Sequence, residues 1–258
     1  MYALVLAPAA HAFGVGVAPS TLELDVEPGS VTRQVLRIKN FNPDKAIRLT
    51  VSSTDWTLSE DGEVELLPPG SVDRSATPWI RFSPSVLMLK PNASGTVTVD
   101  VAVPVTGTER GDYRSAVVVS TVLPAKQDRE DLGGVWNRYQ IASLFYANVD
   151  KGRSKAQISN VAFETAEAQS QRRLQIDLLN QGEAHARVKG QIRLLNTDEE
   201  VVFTRPVESV LLDGQQRRLT LDFDQNTLPP GDYTADIALS ENGRNLALPD
   251  KAPRISIR

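Results

Sequence analysis

Cysteine is absent from the 258 residues, and histidine occurs only at His11 and His185. The first absence removes disulfides, thiolate nucleophiles and Cys/His zinc motifs, and the second leaves almost no material for a histidine-based triad. Charge of one sign is not in excess either. The 28 Lys and Arg stand against 32 Asp and Glu, a net of −4 without a basic stripe, so nothing draws the chain electrostatically to nucleic acid. No stretch approaches the ~20 apolar residues that a membrane-spanning helix needs. Gly-x-Ser-x-Gly elbows and phosphate-cradling glycine loops are missing, as are long amphipathic helices. Aspartate and glutamate remain for a paired-acid hydrolase, but no spacing assembles them. The chain is therefore expected to be no enzyme and to carry no catalytic residues, cofactor or metal.

What is present is alternation. From Pro19 onward apolar and polar residues alternate in short runs bounded by Pro, Gly, Asn and Asp, the pattern of half-buried antiparallel strands. Leu22, Leu24 and Val26 share one face, Leu36 and Ile38 another, and Ile47, Leu49 and Val51 a third, before Trp56, which is expected to plug a core. Val97, Val99, Val101 and Val103 alternate with Thr96, Thr98, Asp100 and Ala102 in the cleanest strand of the sequence. Leu174, Ile176 and Leu178, then Leu219, Leu221 and Phe223, repeat the logic in the second half.

The tripeptide Gly-Asp-Tyr occurs at 111–113 and again at 231–233. A tyrosine opening the strand after a sandwich corner is what immunoglobulin-like domains use to tie that corner through its hydroxyl. The predicted fold is all-β, two immunoglobulin-like β-sandwich domains in tandem, each of about seven strands. The expected boundaries are 13–149 and 150–258. Residues 1–12 read as the remainder of a signal peptide, because Leu4–Ala12 is apolar and Ala10-His11-Ala12 has the Ala-x-Ala form of a cleavage site. That makes the mature chain an exported protein.

Residues 135–149, Val-Trp-Asn-Arg-Tyr-Gln-Ile-Ala-Ser-Leu-Phe-Tyr-Ala-Asn-Val, form the longest aromatic-rich stretch and are expected to be the closing edge strand of the first domain. Asp128, Glu130 and Asp131 just before it are interleaved with Lys126 and Arg129 and read as a solvated loop. Asp222 and Asp224 read as a wet sheet face, His185 as a surface histidine, and Arg172-Arg173 and Arg217-Arg218 as edge or turn charges.

Ile38-Lys-Asn40 followed by Val51 and Trp56, then Phe82-Ser-Pro-Ser-Val-Leu-Met-Leu-Lys-Pro91, then Tyr139-Gln-Ile-Ala-Ser-Leu-Phe-Tyr146 occur in the order found in periplasmic pilus-assembly chaperones. Residues 17–149 thus resemble the first domain of the PapD-like family as a divergent member, while the second half is similar only as a generic immunoglobulin-like unit. The resemblance implies a periplasmic chaperone that binds a secreted, pilin-like subunit, with an outer-membrane usher as a further partner, by β-strand addition from the closing strand. Val135, Tyr139 and Ile141 would then be the partner-binding side chains.

The family clamps the subunit's terminal carboxylate with two basic residues, and at the matching positions this chain has Thr21 and Ser143, neither of which makes a charge-assisted bond. Arg138, Arg110 and Arg153 are the candidate replacements. The alternative is a structural or adhesive two-domain protein of the cell surface or periplasm, binding through loops such as 57–77 or 124–134.

Overall fold

The computed structural model describes residues 14–122, 138–165, 172–223, 228–249 and 254–257. Residues 1–12, expected to be the remainder of a signal peptide, the acidic cluster at 128–131, Val135 and Asp224 lie outside the described residues. The chain is all-β and forms two immunoglobulin-like sandwiches, and its one described helical turn is a 3-10 turn at Thr77–Trp79. Contacts divide it into two compact units. One comprises Met1–Asp55, Leu66–Thr108 and Tyr113–Ala147; the other comprises Trp56–Glu65, Glu109–Asp112 and Asn148–Arg258.

Ten strands build the first sandwich: β1 (Val15–Ala18), β2 (Thr21–Val26), β3 (Val31–Asn40), β4 (Ile47–Leu58), β5 (Val64–Leu67), β6 (Ile80–Ser83), β7 (Val86–Leu89), β8 (Ser94–Ala102), β9 (Gly111–Thr121) and β10 (Gln140–Val149). They form one sheet in the order β1-β3-β8-β6 and another in the order β2-β10-β9-β4-β5, with β7 also on β4. The antiparallel register of β3 and β8 sets Leu36 opposite Val97. Both are fully buried, as strict alternation requires of the core face. Arg33 and Asp100 are likewise opposite, on the wet face, and form an exposed ion pair at 2.7 Å. Trp56 is fully buried, as expected of it.

The 68–77 excursion is organised by a carboxylate. Asp55, fully buried, accepts hydrogen bonds from the Ser71 and Val72 amides and from the Ser75 and Thr77 hydroxyls, the last two at 2.6 Å. A buried charge is tolerated when its oxygens are this fully occupied.

The second sandwich comprises β11 (Ala156–Thr165), β12 (Arg172–Asn180), β13 (Ala186–Leu195), β14 (Val201–Leu211), β15 (Gln216–Phe223), β16 (Gly231–Glu241), β17 (Arg244–Asn245) and β18 (Arg254–Ile257). One sheet has the order β11-β12-β15; the other has β14-β13-β16-β17, with β18 also on β16. Leu174, Ile176 and Leu178 face Val188, Ile192 and Leu194 in a common core with Phe223 and Tyr233. The gap in the β13 alternation, Gly190, is steric: a Cβ there would stand 2.0 Å from the Ala238 carbonyl oxygen. Tyr233 donates its hydroxyl to the Pro229 carbonyl at 2.7 Å, the corner tie expected of the second Gly-Asp-Tyr.

Candidate partner-binding strand

The strand expected over 135–149 is formed over Gln140–Val149. Its odd-numbered residues make the core face: Ser143, Phe145, Ala147 and Val149 are buried, Ile141 is half-buried, and Tyr139, just outside the strand, is 44% exposed. The apolar alternation therefore runs out of the sandwich rather than ending at its rim.

The expectation of an edge strand needs correction, because β10 lies between β2 and β9. At its start the Tyr139 carbonyl accepts the Thr121 amide at 3.0 Å, on the β9 side. On the other side the contacts with the first segment of the chain begin at Ser143 and Leu144. The Ser143 hydroxyl donates to the Pro19 carbonyl at 2.8 Å, and the Leu144 amide donates to the Ser20 carbonyl at 2.9 Å. Both contacts advance in the same direction along the two chains, so β2 continues toward Val149. Upstream of Pro19 the chain belongs to the other sheet, where Val15 to Ala18 pair with Asn40 to Arg37. Among the described residues, no segment of the N-terminal chain therefore accompanies β10 at Ile141–Ala142.

Ser143 has acquired a structural task. A fully buried hydroxyl needs a partner, and the Pro19 carbonyl supplies one where a long basic side chain would have to leave the core. Thr21 is exposed at the start of β2, and Arg138 is exposed beside Tyr139.

The other two candidate anchors, Arg110 and Arg153, are brought together within the second unit. They line a cavity of about 450 Å³ with Lys155, Glu183, Glu241 and Arg244. Glu183 connects them: its carboxylate is 3.2 Å from Arg110 Nε and accepts the Arg153 amide at 3.2 Å. The Arg153 guanidinium and the Lys155 ammonium have no ion-pair partner among the described residues. Arg138 does not line this cavity. Glu241, to which nothing local in the sequence points, has a side chain only 4% exposed; it accepts the Ala156 amide at 3.1 Å and stands 3.6 Å from Arg244.

His185 also departs from expectation. Its side chain is only 11% exposed, and both its backbone amide and its Nδ1 lie 2.6 Å from Asp112 Oδ2. The partner stands 73 residues away in sequence, which is why local spacing gave no sign of it. Among the described residues no group of three or more His, Asp or Glu side chains is placed to hold a metal. No described helix is long and apolar enough to cross a membrane.

No family model matches the chain, and no curated protein does. Among solved structures, the chaperone–tip adhesin complex of CFA/I fimbriae biogenesis matches at 11% identity and a TM-score of 0.47, covering 94% of this chain and 98% of that one. The class 5 fimbriae chaperone CfaA matches at 10% identity and 0.46, with the same coverages. The CsuC–CsuE chaperone–tip adhesion subunit pre-assembly complex of Acinetobacter baumannii matches at 13% and 0.47, covering 88% and 97%. Likeness at this level carries no argument about what the present chain binds, which has to come from its own residues.

Proposed function

We propose that this protein is an exported, non-enzymatic chaperone or assembly factor that captures a secreted, pilin-like subunit by strand addition along the N-terminal half of β10. The observation that carries the reading is the core-face alternation of β10 running outward through Ile141 to the exposed Tyr139, where the first segment of the chain has crossed to the other sheet. A partner strand laid against Ile141–Ala142 would gain main-chain hydrogen bonds, and Tyr139, Ile141 and the more distant Val135 would enter its apolar grooves. The family resemblance of residues 17–149 supports the same reading.

In this reading the functional domains are 13–149 and 150–258, the working compartment is the periplasm, and an outer-membrane usher is the second partner. Arg110 and Arg153 are the favoured basic anchors because a cavity holds them together, with Lys155 adding charge. Arg138 is the alternative from the strand itself.

The test is co-expression with a secreted, pilin-like subunit of the same organism, followed by co-purification. The double variant Tyr139→Asp/Ile141→Asp places two charges where an apolar groove must be filled. It is expected to lose the subunit while retaining the wild-type circular dichroism spectrum. Undiminished recovery of the subunit by a folded double variant rules the reading out and favours a structural or adhesive protein that binds through its loops.

A further inference from the structure

Two arginines of the second sandwich occupy positions that alternation reserves for the core. On β15, Arg217 shares its face with Leu219, Leu221 and Phe223 and is paired opposite the fully buried Leu178. On β14, Arg205 shares its face with Phe203 and Val207 and is paired opposite the fully buried Ile192. The two strands edge opposing sheets, β15 beside β12 alone and β14 beside β13 alone. Both arginines therefore point into the open side of the sandwich, where they line a cleft of about 300 Å³ with Pro206, Leu219, Thr220 and Leu221.

Neither guanidinium forms an ion pair there among the described residues. Arg217 donates from Nη1 to the Val210 carbonyl at 2.9 Å and from Nη2 to the Asp61 carbonyl at 3.0 Å, and both acceptors are uncharged. Its Nε is buried without a hydrogen-bond partner. Burial holds the Arg217 pKa below the usual arginine value, and the nearby Asp61 carboxylate only partly opposes that shift. Arg205 has no ion-pair partner among the described residues. Two acids line the cleft: Glu208 bonds Lys189 at 3.0 Å, and Asp61 acts on Arg217 through its charge without forming an ion pair with it.

A half-buried guanidinium bonded only to neutral carbonyls leaves positive charge at the cleft that an anion would favour. Inward charges on edge strands also guard against aggregation, but that task requires neither a cavity nor an unsatisfied buried Nε.

We propose that the cleft between β14 and β15 is a binding site for a tetrahedral oxyanion, a phosphoryl or sulfate group, held between Arg205 and Arg217. Guanidinium forks arriving from two different sheets suit oxygens that do not lie in one plane, whereas a carboxylate offers only two coplanar oxygens. Thr220 and the apolar wall of Pro206, Leu219 and Leu221 would contact whatever carries the group.

The experiment follows the arginine Nε–Hε resonances of the whole chain during titration with sodium phosphate, sulfate, acetate or chloride at constant ionic strength. The Arg217 resonance is expected to shift saturably with phosphate and sulfate. The exposed-site variant Arg205→Gln should weaken that binding by ~tenfold or more, since a hydrogen bond to a charged group is worth ~1.5–3 kcal/mol. Arg33→Gln, in the first unit, should leave it unchanged. A linear response, an equal response to chloride, or equal weakening by the two variants overturns the site. Acetate binding as tightly as phosphate overturns its assignment to a tetrahedral group.

Discussion

Asn40 and Asn180 end corresponding strands, β3 and β12, and both are fully buried. Each Oδ1 accepts the amide two residues on, from Asn42 and from Gly182, both at 3.0 Å. Each Nδ2 donates to a carbonyl of its own loop, that of Lys45 or Ala184. Each also donates to two consecutive carbonyls at another strand's end, Leu89 and Lys90 in one case and Leu211 and Leu212 in the other.

The two Gly-Asp-Tyr motifs contrast with this. Tyr233 ties its corner through its hydroxyl, while Tyr113 is buried with its ring centroid 4.5 Å from that of Trp79. Asp112 is buried against His185, whereas Asp232 is exposed. The asparagine corner repeats as one chemical device. The tripeptide recurs with its aspartate buried in one copy and exposed in the other.

If the corners are equivalent, they should fail alike. Asn40→Ala and Asn180→Ala each strand several buried carbonyls and amides, and each is expected to cost about 3 kcal/mol in urea unfolding. A loss at one corner only would break the correspondence. Tyr233→Phe deletes a single hydroxyl tie and should cost about 1 kcal/mol by the same measurement. A change within error would mean that packing of the ring, not the bond, holds the corner.

The smallest effect concerns acid. The hydrogen bond from Arg218, chiefly, holds the Asp177 carboxyl below its ordinary value, against an opposing burial effect. A lowered folded-state pKa contributes stability above the unfolded carboxylate value of about 3.9, and that stability is lost as pH falls through the folded value. Asp177→Asn should therefore flatten the decline of thermal stability below about pH 4. A wild-type acid limb in that variant would show that Asp177 contributes nothing to it.

Much of the fold was legible because period-two alternation reports which face of a strand meets the core, and the runs at 97–103, 174–178 and 219–223 kept to it. Strand order was not legible: alternation and position in the chain suggest an edge at 135–149, where the fold flanks β10 with β2 and β9. The chain's change of sheet at Pro19 decides where β10 is accompanied, and nothing local to residues 135–149 encodes that. Arg217 is the edge charge that its sequence suggests, since β15 ends its sheet, but that its side chain takes the core-facing side shows only in the fold. The partner of His185 is likewise remote in sequence, so no local spacing reveals it. Nothing in the sequence brings Arg110 and Arg153 together, and only the fold shows that one cavity holds both.

Strand capture by β10 is tested most directly with a photo-crosslinking phenylalanine derivative placed at Tyr139 and, separately, at Gly70 in the 57–77 loop, in cells that also make a secreted, pilin-like subunit of the same organism. Irradiation should join the subunit to residue 139 and leave residue 70 unlinked. Crosslinking at residue 70 with none at 139 would contradict the assignment of β10 as the capturing strand.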